Sequence, residues 1–165
     1  MQVEEISIPA HPPFPNSACP VLLYKGVFGK NEVSAELFEE LFASNNWPQQ
    51  WRNGVYSFHH FHSTAHEVLG FYAGEAQLQL GGPSGPKLMV QAGDAVLLPA
   101  GTGHFNIRQS RDFYCVGAYV AGSTVDLLRG EEAEYAAAAE RAASVPIKET
   151  DPVTGKRLIW KEQAQ

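Results

Sequence analysis

The sequence predicts an all-β fold, an antiparallel sandwich or barrel with one helix ahead of it and one behind, on three observations. The 15 glycines and 11 prolines exceed the usual combined share of about 12%, and they fall between short apolar runs rather than in one tract. From residue 54 to residue 120 there are seven such runs, each of strand length and cut from the next by turn residues. Hydrophobic residues make up 44% and charged residues 18%, so the 165-residue chain can bury a core and has the size of one domain.

Residues 9–20 carry five prolines, which withhold ladder donors and fix φ, so this stretch is expected to be an extended arm, free to wrap a partner subunit. Residues 21–28 are β-rich, and residues 33–43 place Leu37, Phe38, Leu41 and Phe42 on one helical face. The seven strands are expected at 55–62, 67–72, 76–80, 87–90, 95–98, 104–108 and 113–120. Residues 81–86, GGPSGP, join two of them as a hairpin connection; they lack the GK[ST] ending and following helix of a phosphate-binding loop. Four successive alanines at 136–139 mark a second helix over 131–143, opened by Asp126, Arg129, Glu131 and Glu132 as a solvated, capping stretch. The tail from Pro146 shows turn signals and no periodicity. The organisation expected is residues 1–53 as arm, strand and helix, 54–120 as the barrel core, and 121–165 as helix and tail, one structural domain in all.

Twelve basic against 18 acidic residues give a net charge of −6, a field that repels phosphate backbones and anionic lipid and argues against nucleic-acid or membrane partners. No run approaches the roughly 20 apolar residues of a membrane helix, and residues 1–20 lack a basic region followed by an apolar block, so a cytoplasmic location is expected. Cys19 and Cys115 belong to no CxxC pair and read as a tail thiol and a packed strand residue.

Histidines at 59, 60, 62 and 66 fall within eight residues, in the run HHFHSTAHE. On a strand, residues two apart share a face roughly 6.6 Å apart along the chain. His60 and His62 therefore converge, while His59 and Phe61 point the other way. Glu67, opening the next strand, is placed as a third metal ligand. His66 lies on the opposite face from Glu67, and a rotation of register at the start of that strand would bring His66 in instead. His11, in the proline arm, is expected to be solvated.

These residues carry a resemblance. Gly54, His60, His62, Glu67 and Gly74, at the spacing they have here, resemble the first motif of the cupin superfamily, and Gly93, Pro99, Gly101 and His104 resemble the second. The asparagine that usually closes the second motif is replaced by Arg108, with Asn106 two residues earlier. The runs HSTAHEVLG, GDAVLLPAGTGH, VGAY, RGEEAE and ETDP are similar to the small YjlB-like single-domain cupins over residues 58–155. The resemblance implies a double-stranded β-helix, a jelly-roll barrel of the RmlC-like kind. It also implies one divalent metal ion held by His60, His62, Glu67 and His104; His104 joins the set only through the motif. Homodimers, common among cupins, fit the proline arm.

Three imidazoles and a carboxylate suit Fe, Mn, Ni or Zn and leave a position open for substrate. Strand parity places Tyr56 and Phe58, beside His60, and Asn106 and Arg108, beside His104, on the pocket wall. Arg108 is then the expected anchor for a carboxylate, by a two-pronged hydrogen bond, or else a solvated or salt-bridged strand-end arginine; Tyr56 and Phe58 form an aromatic wall that excludes water, and Arg108 and Tyr56 are the candidate catalytic residues. The function expected is a metal-dependent enzyme, isomerase or dioxygenase, acting on a small polar or anionic molecule such as a sugar acid or carboxylic acid. The alternative is a non-enzymatic cupin that binds a metal or small ligand for sensing or storage.

Overall fold

A computed structural model describes residues 1–163. The strands are β1 (Gln2–Ile8), β2 (Ser17–Lys25), β3 (Gln49–Asn53), β4 (Glu67–Ala73), β5 (Glu75–Leu80), β6 (Lys87–Gln91), β7 (Ala95–Leu98), β8 (His104–Gln109) and β9 (Tyr114–Tyr119). Helix α1 (Ala35–Ser44) lies between β2 and β3; α2 (Tyr135–Ala143) and α3 (Ile159–Gln163) follow β9. The strands form two antiparallel sheets, in the orders β1-β2-β7-β4-β9-β3 and β6-β5-β8. The chain has the jelly-roll β architecture, and strands of its large sheet also come from residues ahead of 54.

The large sheet is buried on both faces at its centre. Leu23, Leu69, Phe71, Val96 and Cys115 point between the sheets and pack on Ala76, Leu78 and Leu80 of β5. Their neighbours Leu22, Tyr24, Val68, Leu97 and Val116 face outward against Phe38 and Phe42 of α1 and against Trp47 and Trp160. This double burial is why β2, β4 and β7 read as continuous apolar runs rather than as alternating ones. Helix α1 begins at Ser34, whose Oγ accepts the Leu37 N–H at 3.2 Å, the bond that favours serine at this position. Its Phe38 ring lies where a side chain on Gly70 would stand, 2.5 Å from an added Cβ, so the glycine is what lets α1 settle on β4.

Several expectations change. The segment 55–62 makes no continuous ladder: it touches β8 through the Asn106 N–H to Tyr56 O bond and the His60–His104 bridge, and Phe61 pairs on its other side with Leu128. Beyond it the Ser63 N–H goes to the carboxylate of Asp126 rather than to a strand. The proline arm packs on its own chain. Asn16 Nδ2 donates to Pro9 O and Gly81 O, its Oδ1 accepts from Gly103 N–H, and Phe14 is buried. The aperiodic tail completes the outer core: Trp160 Nε1 donates to Pro20 O at 2.8 Å, and the Tyr24 hydroxyl donates to Asp151 at 2.6 Å. Instead of one helix over 131–143, a short 3-10 turn at Glu132–Glu134 leads into α2. Cys19 and Cys115 are free thiols. Among the described residues no helix is long and apolar enough to cross a membrane.

Candidate metal centre

Register fixes the site. The β4–β9 pairing that sets Val68 opposite Ala118 puts Glu67 and Tyr119 side by side on the inner face of the large sheet. His104 opens β8 in the small sheet, and the His60–His104 bridge carries the 55–62 segment across the gap between the sheets. Nitrogens of His60, His62 and His104 come within 4.8 Å of one another. Glu67 lies beside this group without belonging to it at that spacing, its Oε1 3.5 Å from His104 Nε2 and its Oε2 3.7 Å from His62 Nε2.

Each ring is oriented from behind. His60 Nδ1 donates to Phe58 O at 2.9 Å, His62 Nδ1 to Asp126 O at 2.5 Å, and His104 Nδ1 to Thr102 O at 3.0 Å. A neutral imidazole that donates from Nδ1 presents a lone pair at Nε2, so these carbonyls select the ligating tautomer. Lone pairs and a carboxylate that face one another without a donor between them are satisfied by a cation. The 3.5 and 3.7 Å separations are too long for good hydrogen bonds. They approach the roughly 3.0–3.4 Å expected between neighbouring ligands that each sit about 2.1 Å from one ion. The donor set therefore fits a divalent transition metal.

Burial, followed by the nearby His104, pushes the pKa of His60 down to about 3, so its ring is neutral at ordinary pH. At Glu67 burial works in the opposite direction, raising the pKa, but His104, His62 and the Tyr119 hydroxyl together outweigh it and hold the value at about 2. The neutral His60 ring is in the state a metal requires.

The cluster lies in the wall of a cavity of about 450 Å³, with Trp51, Tyr56, Leu69, Tyr119, Val125 and Leu127 around it. Tyr56 is 52% exposed at the mouth, its ring edge-on to His60 at 5.1 Å and stacked on Phe58 at 4.8 Å. Phe58 does not line the cavity; the Arg129 guanidinium covers it at 3.8 Å. Asn106 is buried, its Nδ2 donating to Gln109 Oε1 at 2.6 Å, and is also absent from the wall.

Arg108 is displaced outright. β8 carries a bulge: Leu78 of β5 faces Asn106 while Gln77 faces Arg108, so Ile107 is an extra residue and parity reverses beyond it. Arg108 is exposed and stands outside the cavity. Arg52, the cation that does line it, is held by Glu39 through bonds of 2.8 and 2.7 Å. His66 turns away from the cluster: its Nδ1 accepts the Ala100 N–H at 2.8 Å and its ring meets Trp160. His59 faces Phe14 and Phe105, as parity requires, and His11 is exposed, with Nε2 2.9 Å from Ser84 Oγ.

No protein-family model matches the chain. A protein of Bacillus subtilis (strain 168), called uncharacterized protein YjlB, is 35% identical over 150 residues, which span 91% of this chain and 86% of that one. The chain belongs to the YjlB family. Three solved structures also resemble this YjlB-family protein. A DUF861 family protein from Thermotoga maritima is 21% identical over 51% of this chain and 89% of that one, with a TM-score of 0.35. Acireductone dioxygenase from Bacillus anthracis, with a cadmium ion in its active centre, is 14% identical over 75% and 81%, with a TM-score of 0.42. A Bacillus subtilis oxalate decarboxylase variant is 14% identical over 72% and 30%, with a TM-score of 0.38.

Tyr119 and Asp126 are among the residues of this YjlB-family site that escape a linear reading. Tyr119 closes the VGAY run and gives no sign of its role until β9 is set beside β4. Asp126, expected among solvated residues ahead of a helix, binds the turn after His62. Its carboxylate accepts the Ser63 N–H at 2.7 Å, the Ser63 hydroxyl, and the Thr64 hydroxyl at 3.1 Å.

Proposed function

We propose that this YjlB-family cupin is a metal-dependent enzyme in which His60, His62, Glu67 and His104 hold one divalent ion, Fe, Mn, Ni or Zn, and a small polar molecule binds beside it. The observation that carries this reading is the convergence of three tautomer-selected imidazoles and an ionised carboxylate on the wall of one cavity. When bound, such an ion supplies a Lewis acid that polarises an oxygen of the bound molecule.

The chain's own residues do the rest. Trp51, Leu69, Val125 and Leu127 give the cavity an apolar wall that orients a small molecule and limits water. Tyr56, at the mouth, is the aromatic side chain that an incoming ligand meets first. With Arg52 committed to Glu39 and Arg108 outside, recognition of an oxygen-rich ligand falls to the metal and to hydrogen bonds from the wall rather than to a guanidinium.

Elemental analysis of protein purified without a histidine tag identifies the ion. The protein loaded with that ion is then tested for turnover of small hydroxy acids, keto acids and sugar acids. In parallel the cobalt form is titrated with carboxylates and with neutral diols, following its visible absorption. A spectrum perturbed by these ligands together with turnover supports the enzyme; a perturbed spectrum without turnover supports a ligand-binding cupin; a metal-free protein that takes up no cobalt ends the metal reading.

A further inference from the structure

Glu67 is the carboxylate beside the imidazole cluster, and its orientation is set by a chain of two further side chains. Trp51 Nε1 donates to the Tyr119 hydroxyl at 3.2 Å, and that hydroxyl donates to Glu67 Oε2. The polarity of this chain is fixed by chemistry: an indole N–H can only donate, so the Tyr119 oxygen accepts from Trp51 and its own hydrogen goes to Glu67. Glu67 Oε2 is thereby the acceptor and the Tyr119 hydroxyl the donor.

The sheet is built to permit this. Trp51 of β3 pairs with Gly117 of β9, two residues before Tyr119. An added Cβ on Gly117 would stand 2.1 Å from the Trp51 ring, so the absence of a side chain there lets the indole lie across β9 and reach the Tyr119 oxygen. Tyr119 is 7% exposed, and both Trp51 and Tyr119 line the cavity beside the imidazoles.

We infer that Tyr119, supported by Trp51, is a positioning residue for Glu67: it aims the carboxylate at the imidazole cluster and so sets the affinity and ligand geometry of the centre. The inference rests on the metal-binding reading above. Hydrogen-bond partners behind a metal ligand typically alter metal affinity about 10-fold to 100-fold when removed.

The experiment is a Co²⁺ titration of the metal-free protein, read by visible absorption, for the wild type, Tyr119→Phe, Trp51→Phe, Gly117→Ala and His62→Ala. Tyr119→Phe should weaken Co²⁺ binding about 10-fold to 100-fold and shift the absorption bands. Trp51→Phe and Gly117→Ala should act in the same direction and to a smaller extent. Tyr119→Phe with Co²⁺ affinity within about twofold of wild type and a superimposable spectrum overturns the inference while leaving the metal centre standing. Should Tyr119→Phe fail to fold, Trp51→Phe decides by the same two readouts. If wild type and His62→Ala bind Co²⁺ equally, or neither binds it, the metal centre fails and the inference fails with it.

Discussion

Asp126, 64 positions after His62, accepts the imidazole Nδ1–H of His62 on its backbone carbonyl at 2.5 Å. The same residue's carboxylate holds the Ser63 and Thr64 turn, and Arg141 of α2 adds a bond of 2.9 Å to the Ser63 hydroxyl. One loop thus orients the His62 ring through its backbone and clamps the adjacent turn through its side chain.

Asp126→Ala should therefore lower both folding stability and metal affinity. Loss of hydrogen bonds to a charged group costs about 1.5–3 kcal/mol, read by urea unfolding, and the loosened His62 should weaken Co²⁺ binding in the same variant. Wild-type affinity in that variant would mean that the loop does not orient His62.

Metal content should follow the faces of the 59–62 segment. His62→Ala should lose most of the bound ion, while His59→Ala, whose ring faces Phe14 and Phe105, should retain it. Elemental analysis of the two variants checks this directly.

Arg108→Leu should leave metal content unchanged and ligand affinity within about twofold, below the roughly 1.5–3 kcal/mol of a charge-assisted bond. The bulge at Ile107 has already taken this side chain out of the cavity. A tenfold loss of carboxylate affinity in the cobalt titration would return the guanidinium to the site.

The docked tail should be a principal source of stability. Trp160 is fully buried and hydrogen-bonded to Pro20, and its removal as Trp160→Ala should cost about 3–5 kcal/mol. Tyr24→Phe, which leaves Asp151 without its phenol donor, should cost about 1.5–3 kcal/mol. Denaturant unfolding that finds either variant as stable as wild type would show that the tail contributes little.

Acid should destabilise the metal-free protein partly through His66. Burial pushes its pKa down to about 4, whereas the unfolded chain has the ordinary value of 6.5. Between those values the unfolded state takes up a proton that the folded state refuses, so stability is present above about pH 6.5 and is lost as pH falls toward 4. His66→Asn, able to accept the Ala100 N–H, should flatten that part of the stability profile. An unchanged slope over this window would mean that His66 is not the group responsible.

The linear sequence determined the strands from β4 to β9 and the grouping of His60, His62 and Glu67, because both are local patterns; His104 entered only through the motif resemblance. Apolar runs cut by glycine and proline mark the strands, and histidines two apart with a glutamate five further on lie near one another whatever the rest of the chain does. β1, QVEEISI, and β3, QQWRN, were hidden because they are the two edges of the large sheet and need no continuous apolar face. Tertiary structure alone decided which way Arg108 points, since one inserted residue in the β5–β8 register reverses every side chain beyond it. It also decided the roles of Trp51, Tyr119 and Asp126, which reach the cluster from 51, 119 and 126 through strand pairing and loop closure, and the burial of Trp160 in a tail without periodicity. Such contacts depend on how distant segments are set beside one another, and no local spacing encodes that.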